Sequence, residues 1–531
     1  MHPGQLIRKL RRERNWTQED LAKRLYVTRQ TVSAWEKGLA QPSSQSLLAA
    51  AKVFEISLSQ LMGDGAADEP ASTAPVTEQS AVTARDGALP VSFAWWPVAV
   101  LAALVCLCAN SYLLLRQRPG LIVLVIVLFL TANLLPGWFE RAIPTSRLRV
   151  CFHGTRVLQI FALSTAGSVA AQAILGALLL PGQWELWLWS AGFAVVVNAL
   201  TFWNGMLSIW LTSVQLGLHL RLMGLFFGWI PVFHLWILKQ MTRVTEHEVR
   251  FETGKHLLNL ERQDEALCRT KYPILLVHGF FFRDSRIFNY WGRIPRELER
   301  NGANIYYGQQ QSADSIENSA EELKTRIRAI VKDTGCEKLN VIAHSKGGLD
   351  MRQALLDPEI RAMTASLTTI NTPHRGCAYA DYLLEKIPEP NQRGIEKAYN
   401  AAARRLGDRD PDFMAAVRDL TKARCEEFDR QTPLPVGVFC QSVGSRLSRA
   451  GAARFPQNAT YHLALHFDGP NDGLVSEGSF RWGSRLLYLT TPGREGISHG
   501  DVVDLNRRDI PEFDVREFYV RLVHDLKARG L

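Results

Sequence analysis

Ser345 stands in KLNVIAHSKGGLDMRQALL, where an apolar β-branched run meets a small-residue turn and then a helical pattern. This is the strand-turn-helix signature of a nucleophile elbow, GxSxG, with Ala343 in the first glycine position. Small residues must flank such a serine, because it sits at a strained turn packed against a sheet while its hydroxyl stays open. A serine hydroxyl attacks a carbonyl when a base takes its proton and preorganised N–H groups receive the charge that develops on the carbonyl oxygen. The backbone N–H of Lys346, at the start of the helix, is one such donor and has the helix dipole behind it. Further along, FDGPNDGLVSEGS offers Asp468 and Asp472 as the acid. His499, in the Gly/Ser-rich loop GISHGDVVDL before a helical pattern, is the candidate base. His374, His462 and His466 compete with it and read as packing or surface groups.

The stretches HGFFF, IAHSKGGLD, NTPHRG, NDGLV and SHGDVV, in this order over about residues 271 to 526, resemble the bacterial lipase and esterase branch of the α/β hydrolases. In that fold the nucleophile, acid and base follow one another along the chain, which agrees with His499. NDGLV resembles the acid loop of bacterial triacylglycerol lipases and so favours Asp472, with Asp468 the weaker candidate. The resemblance also implies a second oxyanion donor in PILLVHGFFF, the N–H of Phe280, and leaves His278 a structural role. Related lipases bind a structural calcium near the base, and Asp501 would be one ligand. No metal set is legible around it, and no cofactor is expected.

The elements that must position these groups follow from the alternation after Lys271. YPILLV, a long amphipathic stretch and KLNVIA read as strand, helix and strand, the pattern of an α/β domain with a mostly parallel sheet. A charged, Ala-rich insert between Asp381 and Gln431 falls where such a domain carries a cap over its pocket. It reads equally as a lid or as a solvated helical excursion.

The first 63 residues are of another kind. In TQEDLAKRLYVTRQTVSAWEKG two short helices flank a turn at 26–28, with Leu21, Ala22, Leu25, Val32 and Trp35 on facing apolar sides and with Thr17, Asp20 and Thr28 as capping residues. These residues resemble the Cro and phage-repressor helix-turn-helix family. The resemblance implies that Arg29, Gln30 and Ser33 face base edges in the major groove, with Ala34 toward a thymine methyl, while Gln18 and Lys37 hold phosphates. Ten basic against five acidic residues give this module a net charge of +5, which suits several phosphate contacts. So small a module reads DNA as a dimer, so a homodimer is expected, although no heptad run supplies its interface.

Residues 64–92, rich in Ala, Ser, Thr and Pro, read as a flexible linker. From Phe93 to Leu238 long apolar runs with tryptophans near their ends read as a membrane zone of about five helices: 93–115, 121–138, 157–180, 184–211 and 216–238. With the N-terminus cytoplasmic, the loop bearing Arg141, Arg147, Arg149 and Arg156 is inside and PGQWE is outside, in keeping with the positive-inside rule. Arg116 and Arg118 count against it. Five spans place everything after Leu238 outside, whereas four, or a re-entrant segment around 202–205, place it inside. The N-terminus lacks the apolar run of a signal peptide, so no segment is expected to be removed.

A chain of 531 residues with a net charge of +9 is too long for one core. Its eight cysteines form no CxxC pair, so neither a zinc site nor a disulfide framework is legible. The expectation is a multidomain protein: an all-α helix-turn-helix module (1–63), the linker, an α-helical transmembrane bundle (93–238), a connector (239–270) and an α/β hydrolase (271–531). Its expected function is that of a membrane-anchored serine carboxylic ester hydrolase acting on acyl lipids or similar esters, with DNA and a lipid membrane as partners. The alternative is a membrane-tethered transcriptional regulator whose hydrolase domain senses a ligand.

Overall fold

The computed structural model describes residues 7–36 apart from 9, 13, 15 and 26; positions 46, 50, 53 and 54; and residues 90–531 apart from 138, 139, 141, 181, 228–230, 281–288, 492 and 494. The chain divides into two compact units, Met1–Ala74 and Pro75–Leu531. The first holds helices α1 (Gln18–Leu25) and α2 (Arg29–Glu36). Thr17 and Asp20 cap α1 reciprocally, each side chain accepting from the other's backbone N–H, and the Thr28 hydroxyl accepts from Thr31 N–H at the start of α2. Leu21, Ala22, Leu25, Val32 and Trp35 bury against one another with Ile7, Ala50 and Phe54. The linker and the turn at Tyr26 lie largely or wholly outside the described residues.

The second unit opens with apolar helices: α3 (Trp96–Ala109), α4 (Tyr112–Gln117), α5 (Ile122–Leu134), α6 (Ser146–Leu179), α7 (Trp184–Thr212), α8 (Leu218–Phe227) and α9 (Pro231–Glu261). Two of them, α6 and α7, are long and apolar enough to cross a membrane. The five expected spans are therefore not five long helices. The first stops at Ala109, where the Asn110 amide donates to Cys106 O (2.8 Å) and the Ser111 hydroxyl to Cys108 O (2.7 Å), ending the ladder. The last is divided between α8 and α9. No break occurs around 202–205, where α7 runs on without interruption. The packing of this zone is inverted relative to a water-soluble core. Leu107, Val123, Val169, Leu178, Trp189 and Leu211 are exposed, while Ser168, Gln172, Ser190, Asn198 and Thr201 are buried and hydrogen-bonded between helices.

The hydrolase part is built on β1 (Ile274–Val277), β2 (Ile305–Tyr307), β3 (Leu339–His344), β4 (Thr364–Ile370), β5 (Phe439–Ser445) and β6 (Arg485–Leu489). They form one sheet in the order β2-β1-β3-β4-β5-β6, parallel throughout. A sheet covered on both faces needs strands apolar on both, and β1 reads ILLV, wholly buried. One face packs against α10 (Ile294–Arg300) and the C-terminal helix, with Trp291, Phe518 and Tyr519 at its centre; α11 (Ile316–Thr334) and α12 (Lys346–Ala354) cover the other. The order reverses between β1 and β3, so the crevice beyond their C-terminal ends is where a ligand site is expected in such a sheet. The insert folds as α13 (Ala378–Lys386), α14 (Glu389–Leu406), α15 (Phe413–Asp419) and α16 (Lys422–Gln431).

Candidate active site

Ser345 directly follows β3 with φ 54° and ψ −131°, a conformation side chains rarely adopt, and it caps the N-terminus of α12. The sequence allows this because its neighbours are nearly bare. A Cβ on Gly347 would collide with the His278 carbonyl oxygen, one on Gly348 with the Thr372 hydroxyl, and one on Gly279 would lie 2.6 Å from Ser345 Cβ. Ala343 is fully buried within β3 and needs no such freedom, which explains why alanine serves in the first glycine position.

From this turn a continuous chain of hydrogen bonds leads inward. His499 Nε2 lies 3.0 Å from Ser345 Oγ, and its Nδ1 lies 2.7 Å from Asp472 Oδ2. Ser345 is 8% exposed, His499 6% and Asp472 0%, so the three pass from the rim to the interior. The Asp472 carboxylate also accepts from Leu474 N–H (2.9 Å) and Val475 N–H (2.8 Å) at Oδ1, and from the Asn371 amide (2.6 Å) at Oδ2. The other acid candidate, Asp468, caps α13 by accepting from Ala378 N–H at 3.1 Å and does not join this chain.

Asn371 was not singled out by the spacing of NTPHRG, yet it ends β4 with φ 46° and ties Asp472 to the Ser445 hydroxyl (2.7 Å). The legible signal was a residue tolerant of left-handed backbone just past a strand. His344, the last residue of β3, is a second residue beside the site that the motif spacing did not single out. Its ring lies 4.5 Å from that of His499 and its Nδ1 meets the Tyr290 hydroxyl at 2.6 Å. Burial, and then the neighbouring His499, hold its pKa well below the ordinary histidine value, so it stays neutral.

Of the two expected oxyanion donors, Lys346 opens α12, where the first N–H groups have no partner within a helix. Its side chain turns away into a buried pair, Nζ to Asp350 Oδ1 at 2.7 Å, and burial pushes the Asp350 carboxyl up to about 7. Phe280 follows β1 on the other side of the turn, with its ring stacked on Phe413 of the insert at 5.5 Å. The turn before it is pinned by His278, whose ring meets Gly279 O and Gln310 O while its own carbonyl accepts from the Gln310 amide, in keeping with a structural role. His374 stacks on Trp482 and bonds Thr369 and Arg352; His462 and His466 are exposed. The Asp501 carboxylate is taken up by the Ser498 hydroxyl (2.7 Å), and no group of three or more His, Cys, Asp or Glu gathers a metal among the described residues. All eight cysteines are unpaired.

In the N-terminal unit Arg29 and Gln30 are exposed on the first turn of α2, with Ser33 and Ala34 half-buried one turn on, on the same face. Gln18 is engaged elsewhere, its amide donating to Glu36 (2.8 Å), which also holds Arg11. Lys37 lies outside the described residues.

A parallel sheet with a serine elbow after its third strand and an acid-supported histidine over it defines an α/β hydrolase. The relatives carry this one step further. Over 222 residues the chain is 33% identical to a triacylglycerol lipase of Pseudarthrobacter phenanthrenivorans, covering 39% of this chain and 66% of that one. Over 249 residues it is 30% identical to a triacylglycerol lipase of Vibrio cholerae, covering 42% and 77%. The chain thus belongs to the triacylglycerol lipase family. It spans just under two thirds of the length of the first of these relatives. Among solved structures, the Staphylococcus hyicus lipase matches with a TM-score of 0.40 at 18% identity, covering 49% of this chain and 97% of that one. Residues 7–61 match the Helix-turn-helix family model, and a 62-residue segment is 37% identical to the HTH-type transcriptional activator BcrR of Enterococcus faecalis, 12% of this chain and 30% of that one. The protein is a lipase-like α/β hydrolase fused to a helix-turn-helix domain.

Proposed function

We propose that this protein is a membrane-anchored serine hydrolase of carboxylic esters, with Ser345 as nucleophile, His499 as base and Asp472 as its orienting acid, and with a DNA-binding module at its N-terminus. The observation that carries the reading is the unbroken chain Ser345–His499–Asp472 at 3.0 and 2.7 Å. Ser345 Oγ attacks the ester carbonyl as His499 Nε2 takes its proton, and the carboxylate of Asp472 stabilises the imidazolium that forms. The N–H groups of Phe280 and Lys346 receive the charge on the carbonyl oxygen. Collapse expels the alcohol, protonated by His499, and a water repeats the sequence on the acyl-enzyme.

The membrane part rests on α6 and α7 and on the inverted packing of residues 93–238, since exposed apolar surface around a polar, mutually hydrogen-bonded interior suits hydrocarbon. In the DNA part, Arg29, Gln30 and Ser33 read bases and Gln18 and Lys37 hold phosphates. Gln18 keeps only its second amide hydrogen for that task.

Labelling of the membrane-bound protein by a fluorophosphonate tests the reading. The full chain should label, and Ser345→Ala should abolish labelling and lower ester hydrolysis by at least about 10⁴-fold with the unfolding midpoint unchanged. Unlabelled, folded wild-type protein would sink it.

A further inference from the structure

The contacts among the apolar helices fix the direction in which each one runs. On α6, Phe152 meets Phe93 (4.5 Å) and Arg156 lies over Trp95, while further on Ser168 and Gln172 meet Asn110 at the end of α3. α3 and α6 therefore run the same way. α5 returns. Its Val125 O faces Cys108, and past its end Pro136 O meets the His153 ring. α7 returns as well, from Trp187 against Gln172 O, through Asn198 against Ser164, to Thr212 O against Arg147 (2.6 Å).

The last pair closes the pattern. Residues 213–215 bind Glu248 of α9 through the Ser213 hydroxyl (2.6 Å) and the N–H groups of Val214 and Gln215, while Gly224 of α8 packs on Met241 of α9. The two helices are antiparallel. With 10 residues α8 is about 15 Å long, half of a hydrocarbon core of about 30 Å. It leaves and returns on one side. Each outgoing helix has a returning partner, so the number of crossings is even at whatever depth the shorter helices lie.

Both ends of the zone consequently share one face. Arg250 of α9 donates to Val91 O (3.5 Å), just before α3, and two residues on Glu252 accepts from Arg516 of the hydrolase (3.1 Å). The loop running on from His499 is fastened to the same face, since the Gln215 amide accepts from Asp509 N–H (2.9 Å) and donates to Arg507 O (2.7 Å). This end carries Arg147, Arg149, Arg156, Lys239, Arg243 and Arg250, whereas the opposite end carries Arg116 and Arg118. By the positive-inside rule it is the cytoplasmic face, the side on which a DNA-binding module finds its partner.

We propose that α8 and α9 form a re-entrant hairpin, that the hydrolase and the stem of the N-terminal module both lie on the cytoplasmic face, and that the hydrolase takes acyl lipid esters from that leaflet. The inference rests on the membrane-anchored hydrolase reading above. Two experiments on the full chain test it. In a Cys336→Ser background, Arg118→Cys and Gln183→Cys should react with an impermeant maleimide in intact spheroplasts, and Ser92→Cys and Gln431→Cys only after permeabilisation. Labelling of Gln431→Cys without Ser92→Cys in intact spheroplasts overturns the even count, and labelling of both overturns the cytoplasmic placement.

The second experiment supplies an acyl ester whose charged head group cannot cross the bilayer. Ser345-dependent hydrolysis should be at least about tenfold faster in inside-out than in right-side-out vesicles. Faster hydrolysis in right-side-out vesicles, or equal rates, overturns the leaflet assignment alone. Release of the protein by carbonate, or no hydrolysis even after detergent, overturns the anchored-hydrolase reading on which it rests.

Discussion

Asn371 does at the residue scale what a second acid would do less well. Its amide reaches Asp472 Oδ2 at 2.6 Å without adding charge, so the fully buried carboxylate beside His499 keeps an oriented partner. A hydrogen bond to a charged group is worth about 1.5–3 kcal/mol. We expect Asn371→Ala to lower kcat about ten- to a hundredfold with KM little changed, because the bond supports the imidazolium formed in the transition state and not the bound ester. Steady-state kinetics on a soluble ester decide it, and a loss confined to KM would remove this role. Residue types and order were enough to name Ser345, Asp472 and His499 as candidates. Asn371 was not legible in that way, since its task depends on a left-handed backbone at a strand end 101 residues from its partner.

At the scale of elements, the elbow and the turn after β1 act as one unit. A side chain on Gly347 would run into the His278 carbonyl, and that carbonyl is held by Gln310, so the turn that leads to Phe280 is seated against the start of α12. Gly347→Ala must push the two turns apart. Loss of one oxyanion donor costs about 10²–10³ in kcat, and we expect a fall of that order, while Ala343→Gly stays within about threefold of wild type. Ester hydrolysis by the two variants side by side checks this, and near-normal turnover in Gly347→Ala would detach Phe280 from the mechanism. The strands of this unit were legible because β-branched runs such as YPILLV and KLNVIA stand out between amphipathic stretches. The apolar helices were less so. An apolar run has no periodicity to mark its ends, and the stops depend on single polar residues such as Asn110 turning back on their own helix.

Across the whole second unit, the helix α9 joins two environments: its first turns lie among apolar helices and its last turns are bolted to the hydrolase. Lys255, buried on α9, meets Glu517 at 2.6 Å, Asp514 at 2.9 Å and Glu297 at 3.5 Å, pairs up to 262 residues apart that no local pattern announces. Burial works to raise the carboxyl pKa values of Asp514 and Glu517, but the cations Arg516, Arg262 and Lys255 outweigh it and hold both below the ordinary range. Groups with depressed carboxyl pKa values stabilise the fold above about pH 4, and that contribution is lost as pH falls through the folded values. Lys255→Met leaves three carboxylates short of a cation inside the protein, a change that costs about 3–5 kcal/mol near neutral pH. Without the amine the Asp514 and Glu517 carboxyls take up protons at higher pH, so the gap in stability between wild type and variant should narrow from pH 8 to pH 5. Urea unfolding of the detergent-solubilised full chain across that range measures it. A gap that stays constant with pH would mean that Lys255 acts through packing alone and that the junction between α9 and the hydrolase is not held by charge.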